Sequence, residues 1–144
     1  MRVRDVMTSP VIFLRPRVPA DVAAALLVSH GFTAAPVVDD DGQVVGIATE
    51  VDLVRGRIVP DGWTAEEQPE PAVADVMTHA PICMRPEDDL ADVVSTMLDT
   101  GIRSIPIVDD GHLVGIVSRR DVLRLVASGR AASLRGQRRV GVVG

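Results

Sequence analysis

The chain has 144 residues and a formal net charge of −5, and its 15 basic residues are all arginine. The absence of lysine excludes Schiff-base chemistry, a phosphate-loop lysine and a Ser-Lys dyad. A single cysteine excludes an internal disulfide and a cysteine-rich metal site. Aromatic residues make up only 2% of the chain, so the core must be aliphatic, and an aromatic platform for nucleic acid is not expected.

The sequence shows no membrane or secretory segment. No apolar run reaches the roughly 18 residues that a membrane span requires. The charged N-terminus is not followed by the apolar stretch of a signal peptide. We therefore expect a cytoplasmic protein with no membrane partner, and its acidic body makes nucleic acid an unlikely ligand.

The first half of the chain predicts the element order strand, helix, strand, strand, helix. The predicted elements are a strand at 11–14, a helix at 20–29, strands at 35–38 and 44–48, and a helix at 51–57. Gly31 is placed to end the first helix, and Asp41-Gly42 supplies a hairpin turn. The helix at 20–29 is apolar on nearly all sides, so we expect one face to pack in the core and another to contact a second copy of the chain.

Residues 59–72 predict a linker, because the stretch from Pro60 to Pro71 contains four acids, no base and several Pro and Gly residues. Trp63 is expected to pin this linker to a domain surface. The second half then predicts a strand at 82–84, a helix at 90–100, strands at 104–108 and 113–117, and a helix at 119–128. Residues 129–144 carry arginines and no acid, which predicts a flexible basic tail.

The second half also repeats the residues of the first. Val3–Thr8 returns at Val73–Thr78, Gly31–Asp40 at Gly101–Asp110, and Gly46–Asp52 at Gly115–Asp121, with one residue lost in the turn. A unit of this size buries too little surface alone, so we expect the two copies to share a core. The duplication predicts an α/β fold of two βαββα units packed about a pseudo-twofold axis.

The most informative repeated pattern is Gly-Ile-x-[Ser/Thr]-x-x-Asp, which occupies both strand-to-helix junctions. Thr49 with Asp52, and Ser118 with Asp121, have the spacing of a helix capping box. The same geometry offers a helix N-terminus to an anion and an acceptor-only carboxylate to a pair of hydroxyls, such as a ribose diol. The pattern alone leaves both interpretations open.

Together the repeated patterns resemble a known family. The opening Asp-Val-Met-Thr, the Gly-x-x-x-x-Pro-[Val/Ile]-Val-Asp-Asp strand and the junction occur twice in one order, and through them residues 1–128 resemble a pair of cystathionine-β-synthase (CBS) domains. We place the first domain at 1–58 and the second at 73–128. The resemblance implies a regulatory, non-catalytic sensor of an adenosine nucleotide that forms homodimers and requires no cofactor or metal.

The resemblance also implies two ligand sites in clefts between the two copies. One would hold ribose with Ser118 and Asp121 and surround the base with Thr8, Val11, Ile12, Phe32, Thr33 and Ile116. The other would use Thr49 and Asp52 with Thr78, Ile82, Ile102 and Ile47. The candidate ligand contacts also include Arg103, Arg119 and Arg120.

Charge distinguishes the two junctions. Arg119 and Arg120 follow Ser118, and arginine in the first turn of a helix opposes the macrodipole, a cost that a bound phosphate would reverse. Glu50 follows Thr49 and would repel a polyphosphate. We therefore expect the Ser118/Asp121 site to take the phosphorylated ligand. Solvation of the two arginines, or pairing with acids, is the alternative.

The histidines, the cysteine and the remaining polar residues do not indicate a metal site or a catalytic site. The three histidines are scattered, so solvated side chains are expected rather than metal ligands. Cys83 lies in a predicted apolar strand, where a buried, inert thiol is expected. No nucleophile and base stand at a recognisable spacing, so we do not expect an enzyme. A structural dimerisation module without a ligand, in which the junctions are only caps, remains the alternative function.

Overall fold

The computed structural model describes residues 1–9, 11–59, 61–62, 64 and 69–129, which form two compact units. The N-unit is Ile12–Pro81, and the C-unit is Met1–Val11 with the described residues from Ile82 onward. Trp63 and residues 130–144, where the sequence predicts a linker anchor and a basic tail, lie outside the described residues.

The described part of the N-unit contains three helices and a three-stranded antiparallel sheet in the order β1-β2-β3. Its elements are α1 (Ala20–His30), β1 (Ala34–Val38), β2 (Val44–Thr49), α2 (Glu50–Arg55), α3 (Val73–Val76) and β3 (Thr78–His79). Gly31 ends α1 with a φ of 68°, a conformation that glycine adopts without strain. Asp39 Oδ1 accepts hydrogen bonds from the N–H groups of Asp41 and Gln43, which stabilises the hairpin turn between β1 and β2.

Among its described residues, the C-unit has a short 3-10 helix at Val3–Asp5, two further helices and an antiparallel hairpin. The later elements are α4 (Leu90–Thr100), β4 (Ser104–Asp109), β5 (His112–Ser118) and α5 (Arg119–Ala127). Asp110 and Gly111 turn the hairpin with φ values of 51° and 79°. The predicted α/β fold is confirmed, and the predicted helices and hairpins agree with the structure to within two residues at each end.

The predicted strands at 11–14 and 82–84 are wrong. Each segment makes one parallel bridge, Leu14 with Val37 and Met84 with Ile107. Leu14 donates its N–H to the Pro36 carbonyl at 2.9 Å. The next pair along this ladder would need a backbone N–H from Pro36, which a proline lacks, so the pairing stops. Pro106 stops the second segment in the same way.

The compact units exchange the opening segments of the two repeats. The N-terminal Met1–Val11 packs in the C-unit, and residues from the start of the second repeat pack in the N-unit. Val3 N–H donates to the Asp88 carbonyl at 2.9 Å, and Val73 N–H donates to the Val18 carbonyl at 2.8 Å. Each unit is therefore completed by residues distant in sequence.

Each unit has its own aliphatic core, and each core draws on both repeats. In the C-unit, Val3 joins a cluster with Leu90, Val93, Met97, Ile105, Ile107, Val117 and Leu125. In the N-unit, Val73 and Met77 join Leu14, Ala20, Ala23, Leu27, Ala35, Val37, Ala48 and Leu53. Within the described ranges α1 and α4 are the longest helices at 11 residues each, and no helix has the length and hydropathy to cross a bilayer.

Candidate functional site

The N-unit junction lies where β2 ends and α2 begins. Asp52 N–H donates to Thr49 Oγ1 at 3.1 Å, and Thr49 N–H donates to Asp52 Oδ2 at 3.1 Å. These reciprocal bonds form the predicted capping box. Thr78, at the start of β3, also donates its hydroxyl to Asp52 Oδ2 at 3.3 Å. The repeat therefore brings a second hydroxyl onto the carboxylate of the cap.

The C-unit junction, between β5 and α5, has the same arrangement. Asp121 N–H donates to Ser118 Oγ at 3.2 Å, and Ser118 N–H donates to Asp121 Oδ2 at 2.8 Å. Thr8, the equivalent of Thr78, has its hydroxyl 3.5 Å from Asp121 Oδ1. Arg124, one turn further along α5, has Nη1 3.6 Å from the same oxygen. Both carboxylates are thus held by groups from an exchanged segment and from their own helix.

The two carboxylates are both shielded, and they differ in how many of their oxygens accept hydrogen bonds. Asp52 is 7% exposed, and the Asp121 side chain is 10% exposed. No described residue donates a hydrogen bond to Asp52 Oδ1. By contrast, Asp121 Oδ2 accepts from the Ser118 N–H and hydroxyl, and Asp121 Oδ1 lies near the Thr8 hydroxyl and Arg124. Of the four carboxylate oxygens at the two junctions, Asp52 Oδ1 is the one without a donor in the described ranges. An ionised carboxylate only accepts hydrogen bonds, and this open oxygen suits a ligand hydroxyl.

Strand pairing adds a third arginine to the C-unit junction. Arg119 N–H donates to the Arg103 carbonyl at 2.8 Å, because Ser104 of β4 pairs with Ser118 of β5. Arg103, Arg119 and Arg120 are all exposed. Among the described residues, none of these three guanidinium groups forms an ion pair. The alternative that acids neutralise Arg119 and Arg120 is therefore not seen within this part of the chain.

The equivalent place in the N-unit carries the opposite charge. Glu50 N–H donates to the Thr33 carbonyl at 2.8 Å, which is the bond that Arg119 makes with Arg103. The repeat thus replaces Arg103 by Thr33, Arg119 by Glu50 and Arg120 by Val51. The N-unit junction has a single acid where the C-unit junction has three bases.

Two candidate residues that the sequence assigns to the junction of the other copy also lie beside the junction of their own unit, and their assignment to a site stays a prediction. Thr33, assigned to the Ser118/Asp121 site, has its carbonyl at the Thr49 junction of its own unit. Ile102, assigned to the Thr49/Asp52 site, precedes Arg103 in the C-unit. Local strand pairing decides these positions, because residues just before β1 and β4 lie opposite the end of the partner strand. The Phe32 ring stacks on His30 with ring centres 5.5 Å apart.

The remaining candidates lie at varying distances from the junctions. Ile116 exchanges backbone hydrogen bonds of 2.8 and 3.2 Å with Thr8, and Ile47 pairs with Thr78. Both isoleucines therefore adjoin a threonine that reaches a carboxylate. Val11 and Ile12 are half-buried, and Ile82 is exposed.

A family model described as the CBS domain matches residues 3–58 and 73–128. The chain belongs to the CBS domain family. Its junction, exchanged segments and hairpins are thus features of a CBS pair.

This CBS pair is similar to several known proteins, among them the following three. MJ1225 of Methanocaldococcus jannaschii is 32% identical over 126 residues, covering 88% of this chain and 43% of its own length. The CBS pair of protein MJ0100, solved with 5′-methylthioadenosine and S-adenosyl-L-methionine, has a TM-score of 0.77 at 28% identity, covering 90% of this chain and 98% of that one. CBSX2 of Arabidopsis thaliana, solved with AMP, has a TM-score of 0.76 at 32% identity, covering 88% and 96%. The chain spans 43 to 58% of the first four curated relatives.

Two contacts of the CBS pair escaped the sequence interpretation. Arg124 lies three residues after Asp121 on α5, a spacing that indicates an ion pair on a helix. The hydroxyls of Thr8 and Thr78 were assigned near the base, whereas in the structure they meet the carboxylates. No local signal indicates these hydroxyl contacts, because they join segments 113 residues apart in the C-unit and 26 residues apart in the N-unit.

The prediction that the Cys83 thiol is buried is wrong. Cys83 is exposed, because the strand predicted around it does not form. Partial desolvation still raises the pKa of its thiol. Within the described ranges no group of three potential metal ligands comes together.

Proposed function

We propose that this CBS pair is a regulatory module that binds an adenosine nucleotide, with each junction gripping the ribose diol. The observation that carries the proposal is the shielded carboxylate of each junction, which the helix cap already orients and which at Asp52 has one oxygen without a donor in the described ranges. A preoriented acceptor loses little side-chain freedom on binding. Solved CBS pairs in complex with AMP, or with 5′-methylthioadenosine and S-adenosyl-L-methionine, support the ligand class.

The grouping of residues within each unit refines the proposed sites. Around Ser118 and Asp121 we place Thr8, Ile116, Ile102 and Arg103. Around Thr49 and Asp52 we place Thr78, Ile47 and Thr33. Backbone hydrogen bonds between these segments support this grouping. Val11, Ile12, Phe32 and Ile82 remain proposed contacts of the base.

The phosphorylated ligand is assigned to the Ser118/Asp121 site. Arg103, Arg119 and Arg120 surround the start of α5 with no acid paired to them among the described residues, so a phosphate would relieve their mutual repulsion. At the Thr49/Asp52 site Glu50 would repel a phosphate. We expect that site to be weaker, or to prefer a less charged adenosine compound.

The module is proposed to act without catalysis, as a cytoplasmic homodimer whose ligand alters a partner. Exposed apolar side chains on the helices, such as Val28 of α1 and Leu98 of α4, support a second copy as partner. The second candidate function is a dimerisation module whose junctions are only caps. The complete capping boxes support this second function, because such caps form without any ligand.

Calorimetric titration with AMP distinguishes these functions. Asp121→Asn should weaken AMP binding by roughly 10- to 100-fold, the worth of hydrogen bonds to a charged acceptor. Asp52→Asn, the matched change in the other unit, should leave the stronger binding event unchanged. Melting temperatures of both variants check that the fold is intact. The assignment is wrong if Asp52→Asn abolishes AMP binding while Asp121→Asn leaves it intact, and the dimerisation module is favoured if the wild-type protein binds no adenosine compound.

A further inference from the structure

In both repeats a methionine packs directly against the glycine of the junction pattern. A Cβ on Gly115 would lie 2.7 Å from Met7 Sδ, 3.0 Å from Met7 Cγ and 3.1 Å from the Thr8 carbonyl oxygen. A Cβ on Gly46 would lie 2.9 Å from the Thr78 carbonyl oxygen and would collide with the Met77 sulfur. These separations are shorter than van der Waals contact, so a side chain at either position would force the methionine to move and would press on the following threonine's carbonyl.

The methionine and the site threonine are neighbours in sequence. Met7 precedes Thr8, whose hydroxyl lies 3.5 Å from Asp121 Oδ1. Met77 precedes Thr78, whose hydroxyl donates to Asp52 Oδ2 at 3.3 Å. Where the methionine sits on the strand therefore sets how closely the threonine approaches the carboxylate.

Backbone hydrogen bonds connect the contact to the rest of the C-unit junction. Thr8 N–H donates to the Ile116 carbonyl at 2.8 Å, and Ile116 N–H donates to the Thr8 carbonyl at 3.2 Å. Ile116 directly follows Gly115 on β5. A side chain at Gly115 would push Met7 away from β5 and would stretch both of these bonds.

We propose that Gly115 and Gly46 are positioning residues for the two ligand sites. Because glycine has no side chain, the methionine can pack directly on the strand. The packed methionine holds the next threonine against the carboxylate that would bind the ligand. This inference rests on the proposed function for its effect on binding, but the seating itself exists without a ligand. Simple filling of the core is the competing explanation, since Met77 is also a core residue of the N-unit.

A rescue experiment in the C-unit separates the two explanations. AMP is titrated calorimetrically into the wild-type protein, Gly115→Ala, Met7→Ala and the double variant. Gly115→Ala should weaken AMP binding by about tenfold or more, because the Thr8 contact with a charged acceptor is displaced. Adding Met7→Ala removes both Met7 contacts and leaves the 3.1 Å contact with the Thr8 carbonyl oxygen, so the double variant should bind AMP clearly more tightly than Gly115→Ala and nearly as tightly as Met7→Ala alone. A double variant no tighter than Gly115→Ala, or a Gly115→Ala protein that binds AMP like wild type, overturns the proposal.

Hydrogen exchange of the unliganded protein tests the seating without AMP. The amides of Thr8 and Ile116 should lose protection in Gly115→Ala and regain it in the double variant, because they bond each other across this contact. Unchanged protection in Gly115→Ala contradicts the proposal. If the wild-type protein binds no AMP, the proposed function fails, and hydrogen exchange alone decides whether Gly115 positions Thr8.

Discussion

Asp52 and Asp121 each cap a helix, and each is also a proposed ligand contact. Their bonds to the N–H groups of Thr49 and Ser118 fix the carboxylate at the start of a helix. A fixed acceptor at a helix N-terminus costs the fold little, because the macrodipole favours negative charge there. The cap and the ligand site are therefore compatible at the scale of single residues.

Charge reversal at residue 50 tests the assigned difference between the two sites. Glu50→Arg gives the N-unit junction the charge that Arg119 has in the other unit. In an Asp121→Asn background it should tighten AMP binding at the Thr49/Asp52 site by about twofold to fivefold, the usual worth of one charge at a helix end. Calorimetry at low and high ionic strength should show the gain shrinking with salt. An unchanged affinity at low ionic strength contradicts the assignment.

An ion pair between Arg57 and Glu70 anchors the C-terminal end of the predicted linker, and its strength can be tested. Arg57 pairs with both carboxylate oxygens of Glu70, which also accepts from the Asp21 N–H in the first turn of α1 at 2.9 Å. The Arg57 hydrogen bond holds the pKa of Glu70 below its usual 4.5. A lowered carboxyl pKa stabilises the fold above the unfolded pKa, and that stabilisation is lost as the pH falls through the lower, folded value.

An NMR titration of the Glu70 carboxyl group measures this directly. The midpoint should lie below 4.5 in the wild-type protein and should rise in Arg57→Gln. Arg17→Gln is the control, because Arg17 pairs with Asp40 instead of Glu70. A midpoint that does not move in Arg57→Gln shows that the ion pair is not formed in solution.

At the scale of elements, helices and hairpins could be predicted because their signals are local. Glycine after α1 and α4, and the Asp-Gly turns, determine where these elements end. The strand at 11–14 could not be judged from its own residues. Its pairing fails because its partner strand contains Pro36, which lacks a backbone N–H.

The exchange of opening segments could not be predicted from local sequence patterns either. The repeat shows that Val3–Thr8 and Val73–Thr78 are equivalent, but it does not say which hairpin each one joins. The pairs proposed to bind ribose, Thr49 with Asp52 and Ser118 with Asp121, could be predicted from their capping-box spacing. The grouping of Arg103 with Ser118 could not, because it depends on the register of β4 against β5.

The helix caps give a stability prediction at this scale. Thr49→Ala should lower the free energy of unfolding by about 1 kcal/mol, the usual cost of removing an N-cap oxygen. Thr49→Ser keeps an oxygen for the Asp52 N–H and should lose much less. Urea unfolding of both variants measures the difference. Equal losses in the two variants contradict the capping role of the Thr49 hydroxyl.

At the scale of the whole molecule, exposed apolar residues recur at equivalent positions of the repeat. Val28 and Leu98 are 81% and 72% exposed on α1 and α4, and Val54 and Leu123 are 71% and 64% exposed on α2 and α5. Four large apolar side chains on helix surfaces are costly to leave in water. A second copy of the chain would cover them in a symmetric interface.

Light scattering at micromolar concentration tests the dimer. The wild-type protein should have about twice the chain mass of 15.3 kDa. Val28→Glu should shift it toward the monomer, because a charge cannot be buried there without a partner. Ser29→Glu adds the same charge at the next exposed position and should leave the mass unchanged. A wild-type mass of 15.3 kDa contradicts the dimer.

The claim that the junction carboxylates grip a ribose diol is tested most directly by comparing AMP with its 2′-deoxy and 3′-deoxy analogues in one calorimetric series. The analogues keep the base and the phosphate and remove one hydroxyl each. We predict that at least one deoxy analogue binds the wild-type protein roughly 10- to 100-fold more weakly than AMP. In Asp121→Asn this discrimination should largely disappear. Equal affinity of the wild-type protein for all three nucleotides would contradict the account.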